Sequence, residues 1–309
     1  MSMNKEEGFE GSLDQFLSSK HHDTVALIYE EGVVSNKTFD YTKKATKEVT
    51  LRILGHQKFE VIFPSKVESL NFEMWAENVE SPVFPSVNFA IYNLKELTLS
   101  GVKMKVPLNL QLPECIKEIT FLNTTNVTLA ASSLCLDHVE ISESHNCKIT
   151  SENSLLTMDD ISMKILSVQS VTIFDVTCKT FEFSTVFEVS ISSSFFEQII
   201  ESSSFEKLSL SFLQPELSSE EREDIQNSKI HIDLSNHSVK ALSLSNYSNL
   251  TLDLPNDMES LDVSYCSDLQ LTSKAFDQQV EVETEGCEEC YILDTLLPNN
   301  DSFSFNTIH

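Results

Sequence analysis

The sequence predicts a solenoid in which about eleven coils stack side by side and form a parallel β-sheet. Segments that begin at Phe63, Leu112 and Leu254 share one pattern: apolar, Pro, two variable residues, apolar, two polar, apolar, polar, apolar. Apolar–polar–apolar cores return every 19 to 27 residues, with one interval of 34. Each core alternates in the manner of a strand with one buried face. This regular return to one phase predicts stacked coils of about twenty residues.

Each coil is expected to contribute one strand whose two apolar residues, called anchors here, point into the core. In chain order the predicted anchor pairs are Val49/Leu51, Leu70/Phe72, Leu97/Leu99, Ile119/Phe121, Val139/Ile141, Leu166/Val168, Val189/Ile191, Leu208/Leu210, Leu242/Leu244, Leu261/Val263 and Val280/Val282. Further alternating runs predict a mostly extended return side: Val127–Leu129, Val171–Ile173, Ile230–Leu234 and Leu250–Leu254. Stacking should bring equivalent anchors into a common file, for example Leu70, Ile119, Val189 and Leu261.

Three segments share the spacing Leu-x-x-Leu-x-Leu, with conservative replacements: Leu94–Leu99, Val239–Leu244 and Met258–Val263. At these intervals the spacing resembles the leucine-rich repeat family in an irregular form, over about Ala45 to Glu285. The Asn or Cys that the family places three residues after the strand is matched by Cys266, with Thr124, Ser144 and Ser194 as substitutes. The pattern leaves a second architecture open, a right-handed parallel β-helix, because its coils have a similar length.

Residues 1–44 and 286–309 do not follow the repeat. We expect them to form an N-terminal and a C-terminal cap on a solenoid made by residues 45–285, because an exposed terminal strand is an aggregation edge.

Two short helices are predicted outside the repeat. In the N-terminal segment, Leu13, Phe16 and Leu17 have the spacing of an amphipathic helix, and the strand Thr24–Tyr29 follows. The 34-residue interval contains Leu217–Ile225, in which Ser218 and Glu221 form a capping-box pattern.

The charge balance narrows the choice of partner. The chain has 309 residues, 21 Lys and Arg against 48 Asp and Glu, a formal net charge of −27 and a sequence pI of about 4.5. Such a chain repels phosphate backbones and anionic lipid surfaces, so we predict neither nucleic acid nor membrane as a partner. Only six Gly occur, none between Gly101 and Gly286, which argues against a phosphate-cradling loop in that stretch.

Two observations bear on the cellular compartment. The first 12 residues contain acidic side chains and no apolar run of the length of a secretory signal, and seven irregularly spaced Cys do not resemble a disulfide framework. Both favour the cytoplasm. An excess of N-glycosylation sequons favours the alternative of a secreted or cell-surface protein: Asn36, Asn123, Asn126, Asn236, Asn246, Asn249 and Asn300.

Candidate catalytic and metal-binding groups are few. Cys287-Glu-Glu-Cys290 has the spacing of half a zinc site, but no second Cys pair or spaced His pair accompanies it. Asp159-Asp160 and Asp262/Asp268 are the carboxylate pairs that a carbohydrate-active β-helix enzyme would use, but neither lies beside a basic cluster able to hold an anionic sugar. We therefore predict no catalytic residue, no metal and no cofactor.

The polar residue between the two anchors carries the functional prediction. Stacking would place these residues in columns on the solvent side of the sheet, where small hydroxylated side chains form a shallow surface. Trp75 lies just beyond the second strand and could anchor a partner. The candidate protein-binding residues are Asn71, Trp75, Thr98, Thr120, Glu140, Ser167, Ser190, Ser209, Ser243 and Asp262.

We expect a non-enzymatic interaction module that binds another protein through the strand-lined face, and the acidic field of the chain predicts that this partner carries a basic patch. The alternatives are a β-helix carbohydrate-active enzyme and a secreted or surface adhesion protein. Oligomeric state does not follow from the pattern.

Overall fold

The computed structural model contains two compact units, Met1–Thr157 and Met158–His309, both built almost entirely of β-strands. Together they give a β-solenoid of about nine turns with mostly parallel sheets. The sequence repeat predicts a larger number, about eleven coils. The structure describes residues 8–29, 37–54, 58–74, 83–89, 93–152, 155–158, 162–166, 168–174, 180–184, 188–193, 199–202, 204–212, 230–273, 279–293, 295–297 and 301–305.

The first unit has one long parallel sheet and two smaller sheets. Its elements are β1 Phe9–Ser12, α1 Leu13–Ser18, β2 Thr24–Tyr29, β3 Lys37–Asp40, β4 Glu48–Ile53, β5 Phe59–Ile62, β6 Ser69–Met74, β7 Glu96–Ser100, β8 Lys103–Gln111, β9 Glu118–Leu122, β10 Thr125–Ala130, β11 Leu136–Ser142, β12 His145–Thr150 and β13 Leu155–Met158. Strands β1, β2, β4, β6, β7, β9 and β11 pair in that order in parallel and form the main sheet of this unit. Strands β8, β10 and β12 form the parallel return sheet, which β13 joins antiparallel, and β3 pairs with β5.

The second unit repeats this plan. Its elements are β14 Ser162–Leu166, β15 Val168–Phe174, β16 Thr180–Ser184, β17 Glu188–Ser193, β18 Ile199–Ser202, β19 Ser204–Phe212, β20 Ile230–Asp233, β21 Ser238–Ser245, β22 Leu250–Asp253, β23 Ser260–Ser264, β24 Gln270–Thr272, β25 Val280–Glu285, β26 Tyr291–Ile292, β27 Thr295–Leu296 and β28 Asp301–Phe305. The main sheet of this unit runs β15, β17, β19, β21, β23, β25, β28. Two return sheets accompany it, β14-β16-β18 and β20-β22-β24-β26-β27.

Anchors stack in register within each unit, as the repeat predicts. Leu70 and Ile119 share one file in the first unit, and Val189 and Leu261 share one file in the second. Ten of the eleven predicted pairs occupy buried positions of a main sheet, each residue at most 3% exposed, and nine of these ten also have the predicted register. In-register files let apolar side chains of successive coils pack on one another, which excludes water from the interior.

One of the predicted anchor pairs is wrong, and a second is buried in the main sheet but displaced in register. Leu166 ends β14, which belongs to a return sheet, and the main strand that follows uses Val171 and Ile173 instead. In the last coil, Val282 rather than Val280 pairs with Leu261, so the register is displaced by two residues. The two errors have different causes. Main and return strands alternate apolar and polar residues alike, so the pattern does not show which sheet a strand joins. In β25 the buried positions continue from Val280 through Val282 to Thr284, so alternation does not show which two of them pair with Leu261 and Val263.

The N-terminal segment contains the predicted helix and strand. Ser12 and Gln15 form a reciprocal capping box at the start of α1, and Leu13 and Phe16 are buried, whereas Leu17 is 42% exposed. Strand β2 continues the main sheet, with Val25 and Leu27 in the files of Val49 and Leu51. Among the described residues, no helix has the length and apolar character needed to cross a bilayer. The helix predicted within Leu217–Ile225 lies outside the described residues.

The final strands of the second unit reverse direction. Strand β28 pairs antiparallel with β25, and β27 pairs antiparallel with β26. Thr284 strengthens the first pairing, because its hydroxyl donates to the Asp301 carbonyl at 3.3 Å and accepts from the Asp301 backbone N–H at 3.2 Å. The ladder of β25 is therefore occupied on both sides, by β23 and by β28.

Replacing Leu97 with Asn should lower the free energy of unfolding by about 3–5 kcal/mol, because the change removes a buried anchor and brings an unpartnered amide into the file. The adjacent Thr98→Asn substitution changes the outward face and should cost less than about 1 kcal/mol. Urea unfolding followed by circular dichroism measures both. Equal losses at the two positions would contradict the strand faces assigned to β7.

Deleting residues 301–309 should leave β25 with an unpaired edge and produce concentration-dependent association. Deleting residues 306–309 alone keeps β28 and serves as the matched control. Light scattering coupled to size-exclusion chromatography reports the mass of each form. If both truncated chains have the same mass at every concentration, β28 does not protect this edge.

Candidate protein-binding face

The residues between the anchors form one outward column in each main sheet. In the first unit the column is in register through β2, β4, β6, β7, β9 and β11, and in the second through β15, β17, β19, β21, β23 and β25. Successive side chains of a strand point to opposite faces, so buried anchors force these residues outward. The two columns are Ala26, Thr50, Asn71, Thr98, Thr120, Glu140 and Thr172, Ser190, Ser209, Ser243, Asp262, Glu283.

The structure brings most of the predicted residues together within their own units. Asn71, Thr98, Thr120 and Glu140 are consecutive and half-buried in the first column. The second column contains the predicted residues Ser190, Ser209 and Ser243, which are half-buried, and Asp262, which is exposed. Trp75 and Ser167 lie outside the described residues.

Sequence reasoning missed two members of the second column, Thr172 and Glu283. The alternation pattern assigns Ile173 to a return strand and makes Glu281, rather than Glu283, the outward residue of the last coil. The corner that follows β25, described below, is a sequence signal that locates the end of that strand and so identifies Glu283.

A second outward column, two residues after the first along each strand, contains an ion-pair network in the first unit. In it Arg52 of β4 lies beside Glu73 of β6. Arg52 Nε donates to Glu73 Oε2 at 2.9 Å, and Arg52 Nη1 donates to Glu10 Oε1 at 2.6 Å. Asn71 Nδ2 donates to Glu73 Oε1 at 2.9 Å. The hydrogen bond and the charge of Glu73 raise the Arg52 pKa, with Glu10 adding a smaller effect. These charged side chains on the outward face are therefore paired with one another within the first unit.

Ion pairs also join coils at the start of the main strands. Lys95 Nζ lies 2.7 Å from Glu68 Oε2 in the first unit, and Lys240 Nζ lies 3.2 Å from Glu259 Oε1 in the second. The Lys95 hydrogen bond and charge hold the pKa of the Glu68 carboxyl below its usual range. These groups are exposed, so each pair adds little stability. Their effect is to neutralise carboxylates beside the sheet.

A repeated corner connects each of five main strands to the residues that follow. Two residues three positions apart adopt positive φ, and the residue after the first points into the core. Asparagine, glycine and aspartate adopt this conformation most readily. The corners span 123–126, 143–146, 246–249, 265–268 and 286–289, and their buried residues are Thr124, Ser144, Tyr247, Cys266 and Cys287.

The buried hydroxyls of Thr124 and Ser144 bond to backbone groups. Thr124 Oγ1 donates to the carbonyls of Leu99 at 2.8 Å and Leu122 at 3.0 Å, and Ser144 Oγ accepts from the Thr124 backbone N–H at 2.9 Å. Where the chain turns, backbone groups leave the sheet ladder and need such partners. Thr124 and Ser144 therefore stabilise the backbone where the chain leaves the main sheet.

Four of the sequons arise from these corners. Asn123, Asn126, Asn246 and Asn249 all have positive φ, and a hydroxyl residue follows two positions later. Asn126 Nδ2 donates to the Met104 carbonyl at 2.6 Å. An Asn that the turn favours for its positive φ, followed by a strand rich in Ser and Thr, produces the Asn-x-Ser/Thr pattern by its backbone role alone.

The Cys287–Cys290 pair is buried among backbone carbonyls. Cys287 Sγ donates to the Val263 carbonyl at 3.2 Å, and Cys290 Sγ donates to the Cys266 carbonyl at 3.4 Å. Burial raises the pKa of the Cys290 thiol to about 12, and that of Cys266 to about 12. The described residues contain no group of three or more His, Cys, Asp or Glu arranged to hold a metal ion. The arrangement suits protonated thiols that fill the core and donate to carbonyls.

Of the two candidate carboxylate pairs, Asp262/Asp268 lies among the described residues. Asp262 lies on the main-sheet face, whereas Asp268 lies at the following corner with positive φ, and both are exposed. Asp159 and Asp160 lie outside the described residues. Comparison with known proteins gives no match to a family model, to a curated protein or to a solved structure.

Thiol labelling should separate the exposed Cys135 from the buried group. At pH 8 a thiol with a pKa of about 12 is almost wholly protonated, so Cys147, Cys266 and Cys290 should resist iodoacetamide in the native chain. Cys135 is exposed and should be alkylated first. Mass spectrometry of digested protein gives the extent at each site, and labelling in urea is the control. Rapid native labelling of Cys290 would favour a redox or metal role.

Proposed function

We propose that this protein is a non-enzymatic interaction module that binds another protein through the outward columns of its main sheets. The supporting observation is the side-chain composition of those columns. Thr98 and Thr120 in the first unit, and Ser209 and Ser243 in the second, are small, hydroxylated and in register. A row of short side chains lets a partner backbone approach the sheet, and the hydroxyls can both donate and accept hydrogen bonds.

The proposed coil type is an irregular leucine-rich-repeat-like solenoid. Support comes from the Leu-x-x-Leu-x-Leu spacing together with the buried hydroxyl or thiol that follows the main strand, as at Thr124 and Cys266. Such repeats present their strands as an extended binding surface. A right-handed parallel β-helix remains the alternative, since its main sheet would carry the same columns.

The proposed partner carries a basic patch. The chain has a formal net charge of −27, which favours cationic surfaces and disfavours nucleic acid and anionic membranes. Asp262 and Glu283 place exposed carboxylates within the second column itself. In this proposal the protein acts in the cytoplasm, without a cofactor.

A partner captured from the native cell and then purified provides the test. Thr98→Arg and Ser243→Arg would each place a long cationic side chain in a column, and at least one should weaken binding about tenfold or more. Thr128→Arg, on an outward position of return strand β10, is the control and should have little effect. Biolayer interferometry measures affinity and on-rate for all three variants.

The same measurement tests the electrostatic part. Association should be faster at about 50 mM salt than at about 500 mM, because screening weakens long-range attraction. If the column variants bind like the native chain while Thr128→Arg does not, the main-sheet face is not the binding surface. An on-rate that is unchanged across this range would remove the basic-partner proposal.

A further inference from the structure

One groove lies within the outward face of the second unit. It has a volume of about 430 Å³ and crosses β19, β21, β23 and β25. Its floor is formed by the short side chains of Ala241, Ser243 and Ser260, which lie between longer side chains on the flanking strands. Leu242 and Leu261 also border the groove, but their side chains are at most 2% exposed, so they contribute backbone.

The groove is electrically asymmetric. Lys207 is the one cation among its lining residues and lies on β19, at one end. The other end carries Asp262 on β23 and Glu281 and Glu283 on β25, all three exposed. The charge along the groove therefore changes across the strands, from one positive side chain on β19 to three negative side chains on β23 and β25.

These three carboxylates differ from others beside the main sheets. Glu68, Glu73 and Glu259 have lysine or arginine partners within 3.2 Å. In the described part of the chain, no lysine, arginine or histidine forms an ion pair with Asp262, Glu281 or Glu283. Among the described residues, the hydrogen-bond partner of Asp262 is the neutral Ser243 hydroxyl, which donates to Oδ2 at 3.1 Å. Three carboxylates on adjacent strands repel one another, and a cation placed among them removes that repulsion.

The dimensions fit an extended chain. Three inter-strand steps of about 4.8 Å give a length of about 14 Å, which four residues of extended polypeptide span. The hydroxyls of Ser209, Ser243 and Ser260, which line the groove, can bond to the backbone of such a segment. Arginine can engage a carboxylate in two parallel hydrogen bonds, so it suits the acidic end better than lysine.

We propose that this groove binds an extended, arginine-containing segment of a partner protein. The inference rests on the proposed function and specifies its partner chemistry. The basic side chains lie against Asp262, Glu281 and Glu283, and a backbone carbonyl or a carboxylate of the segment lies against Lys207. The backbone of the segment crosses β21 and β23 over Ala241 and Ser260.

The probe is a fluorescein-labelled Gly-Arg-Ser-Arg-Gly peptide, and fluorescence anisotropy on the full chain reports its binding at low salt. The triple variant Asp262→Asn, Glu281→Gln, Glu283→Gln should weaken binding about tenfold or more. The matched control Asp268→Asn, Glu288→Gln, Glu289→Gln removes three exposed charges from the corners of the same unit, and binding should change less than about threefold.

A steric variant tests the groove independently of charge. Ala241→Gln fills the floor and should also weaken binding about tenfold, while thermal unfolding shows that the fold is retained. A Gly-Gln-Ser-Gln-Gly peptide should bind at least about tenfold more weakly than the arginine peptide.

Three results would overturn the proposal: no saturable binding of the arginine peptide, equal losses in the two triple variants, or native affinity in Ala241→Gln. Equal losses would mean that the peptide responds only to the net charge of the protein. None of these results would remove the proposed function, because binding of the captured partner and its sensitivity to Thr98→Arg and Ser243→Arg are measured separately.

Discussion

In-register stacking of parallel strands is the constraint on which the rest of this structure depends. Because each main strand pairs with its neighbour residue by residue, a side chain meets the equivalent side chains of adjacent coils, as Leu70 meets Leu97. Inward positions must then be apolar in every coil, since a polar group in the file would lack partners. Outward positions have no such requirement. Their uniformity at Ser209 and Ser243 is thus a property of the surface, and it supports the binding proposal.

The corners determine where each strand ends. A pair of left-handed residues turns the chain out of the main sheet. At four of the five corners the buried residue between them bonds to backbone groups through a hydroxyl or thiol, and at the fifth this residue is Tyr247. Asn meets the conformational requirement at 123 and 246, whereas Glu143 and Tyr265 adopt the same conformation at greater conformational cost. In this chain four of the seven sequons and the first cysteine of the Cys-x-x-Cys motif lie in one recurring piece of backbone geometry. The backbone conformation of the corner accounts for these residues.

The sequence predicts the solenoid, its strand-rich coils and most of its anchors, because a buried face at a fixed interval is a strong periodic signal. Alternation does not identify the sheet to which a strand belongs, as Leu166 and Val171 show. The candidate column could be predicted wherever the anchors were right, as at Thr98. Grouping Lys207 with Glu281 in one groove requires the register of β25, which the sequence places two residues away. Ion pairs such as Arg52–Glu10, 42 residues apart, carry no local signal.

Stacking also determines which changes of length the fold can absorb during evolution. Side-chain contacts between neighbouring coils join residues 19 to 25 positions apart at Ser243–Asp262, Asn126–Met104 and Thr124–Leu99, so each coil depends mainly on its two neighbours. Duplication or loss of one whole coil would preserve every remaining face and column. A single residue inserted within a strand would instead exchange the inward and outward positions in the part of the strand that follows it. Related sequences should therefore differ in length by whole coils or within the loops, and the strands themselves should keep a constant length.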